Sequence, residues 1–307
     1  MTVTAAPTLA WTRSLNGTGS GGTVTACHQS IAYQLKTQLV SAGATVASSS
    51  NGTSSGAADY WSSSSDITFA AGAHSWIVLS FSWGQLCIDF ASATQNRATL
   101  VCDASSGFSG GTTSARPTAT NEVAFRAAAT DAWINGAAST TARINVQVSS
   151  RGLFVWFYRA GAADCTWIIQ QITSGTPGYA GELLGTVITS SSEANLINTN
   201  VYARHSGTTL SACRFDVHRI NTTAAVASTS INLVNEVDST SGYPCFPIGV
   251  MSTSGTTGGM GVLTDVWCIP NGPAEGDHSE VSSGSKDWVA HGNLLLPWGS
   301  GTAAATT

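Results

Sequence analysis

Two short motifs place a serine between glycines, the spacing that many hydrolases use for a nucleophilic serine. They are GTSSG at residues 52–56 and GFSGG at residues 107–111. A nucleophile elbow needs a strand before the serine and a helix after it. Both motifs instead lie in stretches of Ser, Gly and Thr, where chance supplies such matches. We therefore predict no catalytic role for Ser54 or Ser109.

The densest group of acidic residues lies near the C-terminus, in NGPAEGDHSE. It contains Glu275, Asp277, His278 and Glu280, and Asp287 follows nearby. Oxygen ligands at alternate positions can hold Ca²⁺, but the spacing of an EF-hand loop is absent. An acidic loop of this kind is commonly a solvated turn. We predict no metal site, and the sequence leaves open whether this loop binds a cation.

Carboxylates and histidines elsewhere are widely scattered. Glycoside hydrolysis needs two carboxylates facing each other across a groove. Asp89, Asp103 and Asp164 are candidates, but nothing in the sequence brings two of them together. The histidines occur singly, with no pair at metal-ligand spacing: His28, His74, His205, His218, His278 and His291. We expect His74 and His291 to form hydrogen bonds at strand ends, and we predict no catalytic residue and no cofactor. The chain is expected not to be an enzyme.

The seven cysteines show neither a metal-binding nor a disulfide pattern. They are Cys27, Cys87, Cys102, Cys165, Cys213, Cys245 and Cys268. An odd number without close pairs argues against a zinc site and against a complete disulfide framework. Several lie in apolar, strand-like runs such as LCIDF. We interpret them as small buried hydrophobic residues of a protein made in a reducing compartment.

Charged residues are unusually rare. They make up 9% of the chain, against about 25% in a typical soluble domain. Ten of the twelve cations are arginine, and ten residues are tryptophan. Depletion of lysine with enrichment of Arg and Trp is typical of protein–protein interfaces, although the bias of a GC-rich genome produces a similar composition. Exposed tryptophans could instead stack on sugars.

Several partner classes are disfavoured by the same composition. There is no cluster of basic residues, so we expect no nucleic-acid partner. The first residues, MTVTAAPTLAWTRSL, contain no basic start followed by an apolar run, so we expect no secretory signal. The longest strongly apolar run, Leu153 to Tyr158, is far too short to cross a bilayer. We expect no membrane partner.

The elements that would position these residues are mostly strands. One amphipathic helix is predicted at about residues 23–42, with Ile31, Leu35 and Leu39 on one face, a threonine cap and Gly43 as its stop. Strand patterns follow at residues 75–81, 85–90, 97–104, 142–148, 153–159, 164–172, 210–220 and 261–269. No repeat or linker marks a boundary. We predict one domain over residues 1–307, mainly β: an antiparallel β-sandwich or barrel-like domain with the N-terminal helix packed on it.

The last segment is predicted as a docking strand at about residues 287–298. Its even positions are apolar and include Trp288, Leu294, Leu296 and Trp298, whereas its odd positions are mixed. A strand with one apolar face covers something on that face. We predict these four side chains as interface residues. The alternative is that this is simply the final core strand of a monomer.

Three segments together resemble proteins of tailed-bacteriophage virions. They are TLAWTRSLNGTGSGGTVTACHQSIAYQLKTQLVSAGATV, the block from AADYWSSSSDITF to AHSWIVL, and KDWVAHGNLLLPWGSGT. The family meant is the Ser/Thr/Gly-rich β proteins of the head and tail genes, and it brings no catalytic motif. The resemblance implies a chain that is assembled in the host cytoplasm and located in the virion. Its partners would be other copies of itself and other virion proteins.

Two functions follow as expectations. The first is a non-enzymatic structural component of a phage virion, in a decoration, neck, tail or baseplate position, acting through repeated protein–protein contacts. The alternative is a receptor- or glycan-binding β domain of a tail fibre, which would use exposed tryptophans to bind a host-surface glycan.

Overall fold

The protein is mainly antiparallel β structure with one N-terminal helix, as the sequence predicts. The computed structural model describes residues 12–91, 98–103, 107–120, 122–126, 142–159, 162–171, 183–188, 201–205, 208–216, 246–252, 259–268, 278–280, 287–291 and 294–299. Within these ranges the strands belong to two sheets.

Strands make up nearly all of the regular structure in these ranges. In chain order, the first half contains β1 (Thr12–Gly19), α1 (Val24–Ser41), β2 (Thr45–Asn51), β3 (Ser55–Gly56), a 3₁₀ turn (Ser64–Asp66), β4 (Ser75–Phe81), β5 (Gly84–Phe90), β6 (Thr99–Asp103), β7 (Val123–Arg126), β8 (Ala142–Val148) and β9 (Gly152–Arg159). The second half contains β10 (Ala162–Gln171), β11 (Leu183–Ile188), β12 (Val201–His205), β13 (Thr208–Asp216), β14 (Phe246–Ser252), β15 (Gly259–Cys268), β16 (His278–Glu280), β17 (Asp287–His291) and β18 (Leu294–Gly299).

The strand order shows how the chain builds the two sheets. The smaller sheet has the order β3-β2-β4-β5-β6-β7, and the larger has the order β1-β8-β9-β10-β11-β12-β13-β14-β15-β18-β17-β16. Most neighbours are consecutive in the chain, as in an antiparallel meander. The strand β1 is an exception, because it pairs with β8 although all the strands of the smaller sheet lie between the two in the chain. This long-range pair ties the beginning of the chain to the larger sheet.

One hydrophobic core joins the helix to both sheets. Its buried members come from α1, from the smaller sheet and from β8 to β10 of the larger sheet, and include Ile31, Leu35, Leu39, Ile77, Leu86, Ile88, Ile144, Val155, Phe157 and Trp167. The apolar stripe predicted on the helix faces this core, because its residues are among the buried members. Each fully buried aliphatic side chain stabilises the fold by about 1.5–3 kcal/mol relative to an exposed position.

Both ends of α1 use the capping residues that the sequence indicates. The Thr23 hydroxyl accepts a hydrogen bond from the Ala26 amide at 3.1 Å. At the other end Gly43 has φ of +109°, and the amides of Gly43 and Ala44 donate to the carbonyls of Val40 and Leu39. This is the Schellman arrangement, which satisfies carbonyls that the helix leaves open.

Glycines let the helix lie close to the chain before it. A Cβ at Gly19 would lie 2.5 Å from Ile31 Cγ1 and 2.8 Å from the Ile31 main chain, and one at Gly21 would lie 2.5 Å from the Cys27 nitrogen. A Cβ at Gly22 would meet nothing within 4 Å. The sequence Gly19-Ser20-Gly21 therefore serves helix packing.

Replacing Gly19 with alanine should reduce the free energy of unfolding by about 1–3 kcal/mol, because the methyl group collides with helix backbone that cannot move alone. Denaturant unfolding would measure this. Gly22→Ala is the matched control and should be neutral or slightly stabilising, since it only restricts the unfolded chain. Equal destabilisation by the two substitutions would contradict the close approach.

The C-terminal segment corrects one sequence prediction. Residues 287–298 do not form one continuous strand, because β17 and β18 pair antiparallel as a hairpin. Gly292 and Asn293 lie between the two strands, and Gly-Asn is a turn-forming pair in hairpins. The apolar alternation with a period of two continues across these two residues, which is why the sequence predicts one strand. In the observed register Trp288 pairs with Pro297, while Val289 pairs with Leu296.

Candidate functional site

A histidine and a buried aspartate form a hydrogen-bonded pair on the smaller sheet. The β4–β5 hairpin sets the position of Asp89 because Trp76 pairs with it across the two strands. His74 immediately precedes β4, and its Nδ1 lies 2.9 and 3.0 Å from the two carboxylate oxygens of Asp89. Asp89 is 2% exposed, whereas the His74 side chain is 21% exposed. The pair therefore has a buried acidic end and a solvent-facing imidazole.

A loop covers the sheet beside this pair. Residues 107–120, which we call the strap, fold back on themselves through the bridges Ser109↔Thr118 and Thr112↔Ala115. The Trp76 indole donates to the Thr112 carbonyl at 2.8 Å. The His74 amide donates to the Thr113 carbonyl at 2.9 Å. The tip of the strap is thus attached to His74 itself and to Trp76, the residue paired with Asp89.

The start of the strap is held by side chains of β5 and β6. The Gly107 amide donates to Asp103 at 2.7 Å, and the Phe108 amide donates to Gln85 at 2.9 Å. Gln85 and Asp103 are themselves paired across the two strands. Gln85 and Asp103 therefore hold the amides of the first two residues of the strap.

An ion pair joins Arg116 of the strap to Glu122, two residues beyond the end of the strap. Arg116 donates through Nη1 and Nη2 to the two carboxylate oxygens of Glu122 at 2.9 and 2.6 Å. Glu122 also accepts from the Ala119 amide at 3.0 Å. This two-pronged geometry is the stronger form of Arg–carboxylate contact, and the Glu122 hydrogen bonds raise the pKa of Arg116.

Burial controls the electrostatics of the cluster. It raises the pKa of the Asp89 carboxyl, while the charges of His74 and Arg116 act in the opposite direction. Burial also raises the pKa of the neighbouring Cys87 thiol well above its usual range, with Asp89 adding to that effect. Cys87 is therefore a neutral thiol rather than a nucleophile.

The two serine motifs lie in turns, which agrees with the sequence interpretation. Ser54 lies in the turn between β2 and β3, where Asn51 accepts hydrogen bonds from the amides of Thr53 and Ser54. Ser109 lies in the strap and pairs with Thr118. Neither serine stands between a strand and a helix, as a nucleophile elbow requires.

The candidate glycosidase carboxylates are kept apart by the sheet. Asp103 pairs with Gln85, which is four residues from Asp89 along β5. At about 3.3 Å per residue this separates the two positions by roughly 13 Å, whereas glycosidases place their carboxylates about 5–9.5 Å apart. Asp164 belongs to β10, and its side chain lies outside the described residues.

Buried cysteines and tryptophans match their sequence interpretation as far as their side chains are described. Cys27, Cys87, Cys102 and Cys165 are free and buried, and burial raises the pKa of Cys102 to about 12. The tryptophans with described side chains are also buried: Trp61, Trp76, Trp83, Trp156 and Trp167. None of these five offers an exposed ring for a sugar.

The predicted interface residues are placed by their backbone alone. Trp288 lies in β17, while Leu294, Leu296 and Trp298 lie in β18, which pairs with β17 on one side and with β15 on the other. The segment is thus part of the chain's own sheet. Whether it also contacts another chain stays a prediction.

The predicted acidic loop falls mostly outside the described residues. Glu275 and Asp277 are not described, and His278–Glu280 forms the short edge strand β16, whose backbone pairs with β17. Across the described ranges, no group of three or more His, Cys, Asp or Glu residues is placed to hold a metal ion. Within the same ranges, no helix is long and apolar enough to span a membrane.

Charged residues are few between residues 19 and 91. Between residues 19 and 91 the charged side chains are Lys36, Asp59, Asp66 and Asp89. Lys36 and Asp59 form an ion pair at 2.8 Å, Asp66 caps the 3₁₀ turn, and Asp89 binds His74. All four are engaged within the chain, but Asp59 remains exposed and Asp66 is partly exposed, so the surface here is sparsely charged rather than neutral.

The comparisons with known proteins are negative. The chain matches no protein-family model, no curated protein and no solved structure. Arguments about its function therefore rest on its residues and their geometry.

The hydrogen bond predicted for His74 at a strand end is confirmed, but the sequence analysis did not identify Asp89 as its partner, although a signal for it existed. The strands predicted at residues 75–81 and 85–90 are joined by a short segment that includes Gly84, as in a hairpin. That turn brings the residue before the first strand close to the end of the second, which places His74 near Asp89. The contact between Arg116 and Glu122 had no comparable signal, because both lie in or beside an irregular loop.

Proposed function

We propose that this chain is a non-enzymatic structural component of a tailed-phage virion, in a decoration, neck, tail or baseplate position. It acts through repeated contacts with copies of itself and with other virion proteins. The proposal combines the resemblance of both chain ends to virion proteins with the physical character of the surface.

The observation that carries it is the scarcity of charge between residues 19 and 91, where four side chains are Lys, Arg, Asp or Glu. Soluble proteins rely on surface charge to keep their copies apart, and little charge promotes association. Of these four, Lys36 and Asp59 pair with each other, and Asp89 is buried beside His74. A surface with so little charge suits a protein that is buried against neighbours in an assembly. The free buried cysteines support assembly in a reducing compartment such as the host cytoplasm.

The glycan-binding alternative receives no specific support. It requires an aromatic ring open to solvent, and the five tryptophans with described side chains are buried. A stacking platform would have to come from the other five.

Charge added to this sparsely charged surface should weaken the association of the chain with its own copies. Val24 and Val40 lie at opposite ends of α1 and are 40% and 41% exposed, so both tolerate a polar substitution. Val24→Glu and Val40→Lys each put a charge at the helix end that favours it, so the fold should be retained. We expect the wild-type chain to form concentration-dependent assemblies in sedimentation velocity, and the double variant to form smaller ones.

The control is the uncharged pair Val24→Ala and Val40→Ala, which should associate like the wild type. The complementary measurement is peptide mass spectrometry of purified particles whose genome encodes the chain, where it should be found in repeated copies. A wild-type chain that remains monomeric at high concentration and is missing from such particles would refute the proposal.

A further inference from the structure

The last three strands are joined to the rest of the larger sheet by a short ladder. We call β16, β17 and β18 together the C-terminal unit, since they are neighbours at one end of that sheet. β18 joins the unit to β15 through two residue pairs, Trp267 with Leu295 and Cys268 with Leu294. The ladder before it, between β14 and β15, extends along β14 from Phe246 to Met251. A unit held by so short a ladder separates at lower free energy than the strands of a packed core.

The C-terminal unit also approaches the other end of the same sheet. β18 comes close to β1 and β8, although it is paired with neither strand. The helix α1 packs on these two strands from the side of the main core. Both edges of β18 are occupied, by β15 and by β17. The face of β8 opposite the helix is therefore the face left for β18.

That face of β8 to β10 buries polar groups without satisfying them. Gln147 on β8 and Thr166 on β10 lie on it, because their strand neighbours Val146 and Trp167 belong to the main core. Gln147 and Thr166 are fully buried. The amide of Gln147 and the hydroxyl of Thr166 have no hydrogen-bond partner among the residues that the structure describes. Since each such group costs about 1–3 kcal/mol, whatever packs on this face is held weakly.

The connection to the C-terminal unit is longer than the observed arrangement needs. His278 at the start of β16 lies three strand spacings and two residues along the strands from Cys268, which is a distance of about 16 Å. Residues 269–277 can span about 30 Å when extended. Their sequence, IPNGPAEGD, has a proline after Ile269 and another after Gly272, and a residue before proline favours extended backbone. The C-terminal unit can therefore reach beyond its own sheet.

We propose that the C-terminal unit is exchanged between copies of this chain. In the exchanged form, β18 of one copy pairs with β15 of a second copy and packs on the β1 and β8 of that copy. Exchange of an identical element keeps the contacts of the single chain and is a low-cost route to association. This inference rests on the self-association in the proposed function and names the element that carries it. It gives the predicted interface residues Trp288, Leu294, Leu296 and Trp298 a partner, the equivalent sheet of another copy.

One added cysteine tests the exchange, because Cys268 and Leu294 are direct partners. Partners in antiparallel strands have Cα atoms about 4.5–5.5 Å apart, a separation that a disulfide can bridge. Two forms of the full chain with different tags, both carrying Leu294→Cys, would be produced in one cell, purified under reducing conditions and then oxidised. On a denaturing gel without reductant, exchange should give covalent dimers that contain both tags. Peptide mass spectrometry of these dimers should find the link between positions 268 and 294.

A matched pair in the smaller sheet is the control. Thr45 and Ser80 are partners across β2 and β4, so Thr45→Cys with Ser80→Cys should link within single chains and give no dimer with both tags. The wild-type chain, oxidised in the same way, measures links formed by the other cysteines.

The outcomes separate the exchange from the proposed function. Assemblies in sedimentation velocity whose 268–294 links all lie within single chains would overturn the exchange and leave the self-association intact. A chain that stays monomeric at high concentration would overturn both. Absence of any 268–294 link would contradict the pairing of β15 with β18, and the exchange would fail with it.

Discussion

Acidification from pH 6.5 to 4 should lower the free energy of unfolding by about 3 kcal/mol through one residue of α1, His28. This side chain is 2% exposed, and burial lowers its pKa to about 4. Histidine in an unfolded chain titrates near pH 6.5. The folded state therefore binds fewer protons than the unfolded state between these two values. Stability is fully present above pH 6.5 and is lost as the pH falls toward 4.

The size of this effect follows from the shift between the two states. One pKa unit corresponds to about 1.4 kcal/mol, so a shift from about 6.5 to about 4 gives roughly 3 kcal/mol. That is a large share of the 5–15 kcal/mol that stabilises a typical domain. Asp89 acts in the opposite direction, because its raised pKa makes the folded state bind more protons as the pH falls. The two contributions must therefore be separated by substitution.

Denaturant unfolding at a series of pH values would isolate the His28 contribution. His28→Gln removes the titrating group and keeps a polar side chain of similar size. The difference in unfolding free energy between wild type and variant should be constant above pH 7 and should change by about 3 kcal/mol by pH 4. Asp89→Asn is the control, and it should leave the His28 step in place. If His28→Gln retains the full acid sensitivity of the wild type, His28 is not its source.

The helix and the central strands could be predicted from local patterns in the sequence. The helix predicted at about 23–42 is observed as Val24–Ser41, because its cap residue, apolar stripe and stop glycine are all local signals. The strand Ala142–Val148 was predicted with its observed bounds for the same reason. Both elements carry a periodicity that one stretch of sequence contains.

Elements defined by distant partners could not be predicted in this way. The strand β1 contains TRSLNGTG, which has little apolar alternation, and it forms by pairing with β8 more than a hundred residues later. The strap has no periodicity at all, and its position depends on Trp76, Gln85 and Asp103 in the sheet. The C-terminal segment misled in the opposite way, because the apolar residues of β17 and β18 together have the alternation of one strand.

The small number of charged side chains connects the fold to the proposed function. The few ionised side chains of residues 19–91 hold a loop to α1, cap a turn and form the His74–Asp89 pair. Each therefore stabilises a specific local structure. The scarcity of further charge on this part of the surface is the property on which the proposed assembly role rests.

Replacing Trp61 with alanine should give the largest loss of stability, about 3–5 kcal/mol. The side chain is fully buried in the main core. Its ring stacks on Phe90 with centroids 5.8 Å apart, and its indole donates to the Ser50 carbonyl at 2.9 Å. The substitution therefore removes packing and a buried hydrogen bond together. Thermal or denaturant unfolding of the purified variant would measure the loss.

A phenylalanine pair separates these two contributions. Trp61→Phe and Trp83→Phe remove the same atoms from two buried tryptophans, but the Trp83 indole nitrogen has no hydrogen-bond partner among the residues that the structure describes. Trp83→Phe deletes a buried donor that is already unsatisfied, so its cost should be small. Trp61→Phe should cost about 1 kcal/mol more, the net value of a typical hydrogen bond. Equal costs would show that the bond from Trp61 to Ser50 adds nothing, and that its ring acts through packing alone.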